Sequence, residues 1–433
     1  MKVLFAVPSA FAHINPIVPL AGALQGAGHE VRVATHPEMT EVIRDLGLSA
    51  VAVGERDFPK ANARGSDELY YRLLEQLAPD IAEGAARGTG RLPSRLVIRA
   101  FDRYYNLEPP GARGGLMADD LVAFARGWRP DLIIWDSICF PAAIAARVTG
   151  AAHARLLWSI DDFAWTRERL VERLDDPASG VTTDLMAERM LPMLERFGLE
   201  FEEELLLGQW TIDHYPAIRL RLSTGVRYVH SRPVPFNGSA VLPDWLHARS
   251  DRPRVALSLG AGIRSFFPAG TSKVLAEEIF DISAGLGLEL VATLNEAQLQ
   301  SVRTIPDNVR VVDYLPLNVL LPTCDAIIHH GGSGTFNAAV PHKLPHLVWK
   351  ENGPYYEDIA RAVEQSGAGL VIDDEGFSAD AVAKQLQRVL TDASIKEAAV
   401  GLYRDMMAVP SPADVVPVLE RLTAEHRRIE ERA

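Results

Sequence analysis

The residues His329-His330-Gly331-Gly332-Ser333-Gly334-Thr335 set two imidazoles, three glycines and two hydroxyls directly behind an apolar run and directly ahead of a helical pattern. Glycines let a backbone come close to a bound anion, and the unused N–H groups and dipole of a helix start face that anion. A diphosphate suits such a loop. His330 would add a hydrogen bond or a positive charge to a leaving phosphate, and Ser333 and Thr335 would offer hydroxyls. A glycine turn kept only for tight packing is the competing reading. Far upstream, His13 follows the first strand pattern, where a neutral imidazole can take the proton of an acceptor hydroxyl. Asp136 closes a second strand pattern and would accept the other ring N–H of His13, fixing its tautomer and stabilising the imidazolium. A purely structural His13 is the alternative.

Other nucleotide and metal chemistries have less support. No G-x-x-x-x-G-K-[ST] occurs, and the first strand runs into Pro8-Ser9-Ala10-Phe11-Ala12-His13 rather than G-x-G-x-x-G. Gly260-Ala261-Gly262 follows a strand but has no third glycine at the required spacing, which disfavours redox use of NAD. There is no HExxH and no Cys-x-x-Cys, and apart from His329 and His330 the 12 histidines are scattered, so no metal is expected. Departure of a diphosphate would rely on helix dipole and hydrogen bonds.

The elements that must carry these residues alternate strand and helix. Residues 2–8 read as a strand, Pro16 to Gly28 as a helix and Glu30 to Thr35 as a strand, and the pattern resumes with a strand at Asp131 to Trp135 and a helix at Ala142 to Val148. A parallel sheet with covering helices follows. Residues 55–120 and 158–215 are less regular and rich in aromatics, among them Tyr70, Tyr71, Tyr104, Tyr105, Trp158, Trp165 and Trp210. These read as helical core packing or as insertions that shape an apolar cleft. After a Pro- and Gly-bearing stretch a second alternation begins. Strands are expected at 254–259, 288–293, 309–312, 326–329, 346–349 and 368–372, with helices between them and a helical tail from Ser378. The domain expectation is therefore 1–224, a linker at 225–250, a second doubly wound domain at 251–405, and 406–433 as a helix returning to the first.

Composition narrows the partners. The 433 residues carry 44 Lys plus Arg against 57 Asp plus Glu, a formal charge of −13, with no basic cluster to displace counterions from nucleic acid. An anionic nucleotide must then be held locally, by backbone N–H groups. Cys139 and Cys324, the two cysteines, lie in or beside apolar runs and read as small buried hydrophobes, which fits a cytoplasmic protein. No stretch approaches the ~18 uninterrupted apolar residues of a membrane span.

His13-Ile14-Asn15-Pro16, Gly26 to Val31, the His329–Thr335 block and Gly367-Ala368-Gly369 resemble the family 1 glycosyltransferases across nearly the whole chain. Gly208-Gln209-Trp210 and Tyr228 to Leu246 are similar to the actinobacterial branch that attaches deoxysugars to macrolides and other polyketides. The resemblance implies the GT-B architecture, two Rossmann-like doubly wound α/β domains facing across a cleft, with the acceptor in the first and the donor in the second. It implies inverting, metal-independent transfer from a dTDP-sugar, with His13 as base and Asp136 as its partner. It matches Tyr314 and Leu315 to the nucleobase segment and His330, Gly332, Ser333, Gly334 and Thr335 to the diphosphate binders. Family members usually carry Asp-Gln where this chain has Tyr355 and Tyr356; a phenol cannot accept like a carboxylate, which leaves open a donor sugar poorer in hydroxyls, one unusually substituted, or substitution of the missing carboxylate by the flanking Glu351 and Glu357. The resemblance also brings in, as partners to test, an auxiliary protein similar to a haem-less cytochrome P450 and a homodimer. Two other readings share the architecture: a nucleotide-sugar 2-epimerase, and a non-catalytic partner of another transferase.

Overall fold

The computed structural model describes residues 1–56, 67–86, 91–105, 114–214, 225–238, 240–248, 250–260, 273–299, 302–349, 354–372 and 378–427, leaving out the side chains of 85, 114–116, 273–275 and 354–355. The chain divides into two units. The first takes the chain to His214, a further stretch ending at Ser231, and everything from Pro410; the second holds Arg232–Val409.

The first unit is built on a seven-stranded parallel sheet: β1 (Lys2–Ala6), β2 (Glu30–Thr35), β3 (Ser49–Ala52), β4 (Leu132–Asp136), β5 (Ala152–Leu156), β6 (Trp210–Asp213) and β7 (Tyr228–His230), in spatial order β3-β2-β1-β4-β5-β6-β7. Its central strands are apolar runs because helices cover both faces; all five residues of β4 are buried. Side chains alternate between the two cores, with Leu4 and Ala6 on one face and Val3 and Phe5 on the other. Helices Arg95–Tyr105, Pro141–Thr149 and Leu185–Phe197 pack on the first face. Helices Val18–Gly26 and Pro412–His426 cover the second. The latter opens with a capping box of Ser411 and Asp414 and buries Val415, Val416, Leu419 and Leu422.

The second unit carries a six-stranded parallel sheet: β8 (Arg254–Ser258), β9 (Glu289–Thr293), β10 (Val309–Val312), β11 (Ala326–His329), β12 (His346–Trp349) and β13 (Gly369–Ile372), ordered β10-β9-β8-β11-β12-β13. Helix Ala379–Thr391 contributes Val382, Leu386 and Val389 to the core on one face, and Ala256, Val291 and Ile327 fill the other. Each sheet thus reverses its strand order once, between β1 and β4 and between β8 and β11.

Several local expectations change. The first helix does not start at Pro16: Phe11–Ile14 already forms a helical turn, with the His13 and Ile14 N–H groups bonded to the Ala10 carbonyl, and a 3-10 turn at Asn15–Ile17 leads into Val18–Gly26. Among the described residues, the aromatic stretches 55–120 and 158–215 are largely helical, and Tyr104, Tyr105 and Trp210 are core residues, whereas Tyr71 is exposed. Strand β7 falls inside the stretch expected to be a linker, because Val229 packs on the core of the first sheet while Thr211–Asp213 offers a free edge for Tyr228–His230.

Candidate active site

In the first unit the reversal point brings together the residues the spacing singled out. Strands β1 and β4 are neighbours, with Ala6 opposite Trp135, so the turn after β1 and the end of β4 lie side by side at the carboxyl edge. His13 Nδ1 lies 2.8 Å from Asp136 Oδ2, and both side chains are buried. A carboxylate only accepts, so Nδ1 carries the proton and Nε2 is left as a base. The other carboxylate oxygen, Oδ1, accepts from the Ile138 N–H at 3.1 Å, so Asp136 is held from two sides. Burial, with the charge of Asp136 contributing, pushes the Tyr104 and Cys139 groups well above their ordinary values and keeps them neutral. The residue that sequence reasoning left among the aromatics is Trp158: its ring lies 4.8 Å from that of His13, tilted by 47°. Only its place two residues after an unrecognised strand, β5, could have marked it.

In the second unit the glycine block follows β11 as expected, and its two histidines separate. His329 Nδ1 accepts the Gly331 N–H at 3.2 Å, which leaves Nε2–H to donate to His346 Nδ1 at 3.1 Å. Burial holds His329 well below its ordinary value and brings His346 to about 4, so both are neutral and the pair fixes the turn. His330 has a different setting. Its ring lies in a slot between two glycines: a methyl group on Gly260 would fall 2.4 Å from Cε1, and one on Gly332 would fall 2.4 Å from Nε2. Burial lowers His330 to about 4, with the Ser258 carbonyl partly opposing. Gly260 lies two residues after the end of β8, the strand paired with β11. Ala261 and Gly262 lie outside the described residues.

Helix Ser333–Ala339 starts at Gly332 with no side-chain cap, and its first internal bond runs from the Phe336 N–H to the Gly332 carbonyl. The Gly334 and Thr335 N–H groups ahead of Phe336 are therefore not used by the helix. Ser333 and Thr335 are buried, whereas Gly334 is exposed with nothing within 4 Å of where a methyl would be. The open face of the block is backbone.

Tyr314 and Leu315 follow the edge strand β10, three strand spacings or about 14 Å along the same carboxyl edge from the glycine block. Leu315 is buried; Tyr314 is half-exposed, and its phenol donates to the Asn237 carbonyl, while the Asn318 N–H donates to Asn237 Oδ1 at 3.3 Å. Tyr356, in helix Pro354–Ser366, sets its ring 5.6 Å from that of His330, nearly perpendicular to it. The Tyr355 side chain and Glu351 lie outside the described residues. Among the described residues no group of three or more His, Cys, Asp or Glu is placed to hold a metal ion, and no helix is long and apolar enough to cross a membrane.

Two doubly wound parallel sheets, one with a histidine–carboxylate pair at its reversal point and one with a glycine block at the same place, define a glycosyltransferase of the GT-B fold. The chain matches the family described as erythromycin biosynthesis protein CIII-like, with its N-terminal domain at residues 22–260 and its C-terminal domain at 277–422, and belongs to that family. It is 41% identical to the aclacinomycin-T 2-deoxy-L-fucose transferase of Streptomyces galilaeus, over 99% of this chain and 97% of that one. It is 40% identical to the 10-deoxymethynolide desosaminyltransferase of Streptomyces venezuelae, over 99% and 98%. Among solved structures, the glycosyltransferase VinC in complex with dTDP superposes with a TM-score of 0.80 at 32% identity, covering 98% of this chain and all (100%) of that one.

Proposed function

We propose that this chain transfers a deoxysugar from a dTDP-sugar to a hydroxyl of a polyketide or related natural-product aglycone, with inversion and without a metal. The relatives named for deoxysugar transfer and the neighbour that binds dTDP support the substrate classes. The observation that carries the chemistry is the 2.8 Å contact of His13 with Asp136. His13 Nε2 takes the acceptor proton as the acceptor oxygen bonds to the anomeric carbon. The bond from that carbon to the phosphate oxygen breaks, and its electron pair leaves with dTDP. Asp136 balances the imidazolium that forms.

The diphosphate is received by the backbone N–H groups of Gly334 and Thr335 with Ser333 beside them, by the approach that Gly332 permits, and by a hydrogen bond from His330. The base packs beside Tyr314 and Leu315. Tyr356, with Tyr355, borders the sugar, where a phenol suits a ring edge that has lost hydroxyls. A cytoplasmic setting, a homodimer and an auxiliary activator belong to the same proposal.

A panel of dTDP- and UDP-sugars tested by thermal shift, followed by turnover with polyketide aglycones alone and with added candidate activator, tests the reading. Selective stabilisation by dTDP-sugars and formation of the β- or α-glycoside opposite to the donor configuration are expected. Conversion of donor to its 2-epimer without acceptor, or indifference to every nucleotide, would remove it.

A further inference from the structure

The His13 imidazole has one hydrogen bond to hold it, and a ring anchored at one nitrogen can still swing. The second restraint is Trp158, and the loop that carries Trp158 is fastened at both ends to the interior of the first unit. At the start, the Leu157 N–H donates to the Ile212 carbonyl of β6 at 3.0 Å. At the end, Asp161 accepts from three directions: from the guanidinium of Arg155, from the Tyr228 hydroxyl at 2.9 Å, and from the Ala164 N–H at 3.1 Å, where it caps helix Asp162–Asp175.

Arg155 is wholly buried on β5 and also donates to Thr211 Oγ1, from Nε at 3.3 Å and from Nη2 at 3.1 Å. Burial and the neighbouring Asp161 charge raise the Tyr228 phenol, so it stays protonated and donates. The clamp therefore ties β5, β6 and β7 to a five-residue loop, Leu157 to Asp161, that carries Trp158, Ser159 and Ile160 between its two anchors. A buried charged pair adds little stability over apolar residues of the same volume, whereas it does fix geometry. What lies in reach of that geometry is the ring beside His13.

We propose that Trp158, set by the buried Arg155–Asp161–Tyr228 clamp, is a positioning residue that holds the plane of the His13 imidazole against Asp136. The inference rests on His13 being the base, and its first readout does not require turnover. In ring-¹⁵N-histidine-labelled protein the His13 Nδ1 proton, assigned by its loss in His13→Ala, is expected to exchange slowly with solvent. In Trp158→Ala that exchange is expected to speed up by about tenfold or more, with most of the protection restored in Trp158→Phe. Tyr228→Phe is expected to give a smaller acceleration, and in the Trp158→Ala background it should add nothing, since the clamp acts through the indole.

In turnover, Trp158→Ala should lower kcat about tenfold or more while the dTDP-induced thermal shift stays as in the wild type. An unchanged Nδ1 signal in Trp158→Ala, independent effects of the two substitutions, or a rise in acceptor KM with kcat preserved would each overturn the proposal. A wild type whose proton behaves as described but which neither binds dTDP nor transfers sugar would overturn the proposed function and leave the positioning role standing.

Discussion

Adding one methyl group at Gly332 tests the most constrained contact in the second unit. The new Cβ would lie 2.4 Å from His330 Nε2, more than 1 Å inside ordinary contact. A flexible side chain could turn away, but this ring is buried and has Gly260 on its other side, where a Cβ would lie 2.4 Å from Cε1. The ring must therefore leave the slot or the loop must shift, at an overpacking cost of about 1–3 kcal/mol. If His330 and the loop backbone hold the diphosphate, that cost appears as a loss of dTDP affinity of about 5- to 150-fold. Titration calorimetry with dTDP reads it directly, and a thermal melt separates it from unfolding. His330→Ala empties the slot, so Gly332→Ala in that background should cost little beyond the His330→Ala loss itself. Undiminished dTDP affinity in Gly332→Ala with an unchanged melt would refute the wedged ring, and full additivity of the two substitutions would refute the link between ring and loop.

Gly334→Ala should behave in the opposite way, since among the described residues nothing beyond its own helix and chain neighbours lies within 4 Å of the added methyl. The melt should hold or rise slightly, because Ala favours a helix over Gly by about 1 kcal/mol, while dTDP affinity falls as the methyl enters the space in front of the helix; unchanged affinity in calorimetry would move the phosphates elsewhere. His13→Ala should lower turnover by ~10²–10⁴ and leave dTDP binding intact, and Asp136→Asn should lose about as much, since an amide in its place no longer balances the imidazolium; steady-state kinetics at saturating donor checks both. His330 and His346, brought to about 4 by burial, are neutral when folded but protonate near 6.5 when unfolded. The unfolded state then binds more protons between those values, so stability is lost as pH falls from 6.5 towards 4, by on the order of 3 kcal/mol for each ring. Urea midpoints at pH 7, 6 and 5 should fall less steeply in His330→Gln than in the wild type, and equal slopes would contradict the burial argument.

Most strands were legible in the sequence from their recurring apolar residues, even where a charge interrupts them, as Arg32 does in β2 and Arg310 in β10. β1, β2, β4 and all six strands of the second sheet fall within a residue or two of the expected limits. β5 was hidden because a wholly buried strand, Ala152–Leu156, contains His153 and Arg155, each of which finds a partner inside: His153 Nδ1 accepts from Trp135 Nε1 at 3.3 Å, and Arg155 pairs with Asp161. Pattern reading cannot know that a charge has found a buried partner. β7 was hidden for a different reason, being three half-buried residues among prolines and glycines that pair only because β6 presents an edge. At the site, residue types and strand ends were enough to bring His13 to Asp136. The division of labour between His329 and His330 was not legible, since two neighbours of the same type differ only in which groups surround them: His346 and the Gly331 N–H for one, two glycines for the other. Trp158 was beyond reach because its partner lies 145 positions away in sequence (158 − 13) and the contact depends on a loop whose anchors include the hidden β5.

Both sheets place their chemistry at the reversal of strand order, and the reason lies in chain geometry. Right-handed crossovers that leave two adjacent parallel strands in opposite directions carry their connections to opposite faces, so the carboxyl ends of β1 and β4, and of β8 and β11, are left with a crevice between them. The fold offers the same two positions twice, and residue type decides the use. In the first unit the second strand of the pair ends in a carboxylate, Asp136, and the imidazole after the first strand is thereby made a base. In the second unit the imidazole follows the second strand, Gly260 lies two residues past the end of the first, and burial keeps the ring beside it neutral. A carboxylate there would raise the ring's proton affinity but would also stand against an incoming diphosphate, and a glycine beside His13 would leave its tautomer undetermined. Under the proposed function, that difference in the residue at or just past a strand end would divide the work, with proton removal at one sheet and phosphate reception at the other.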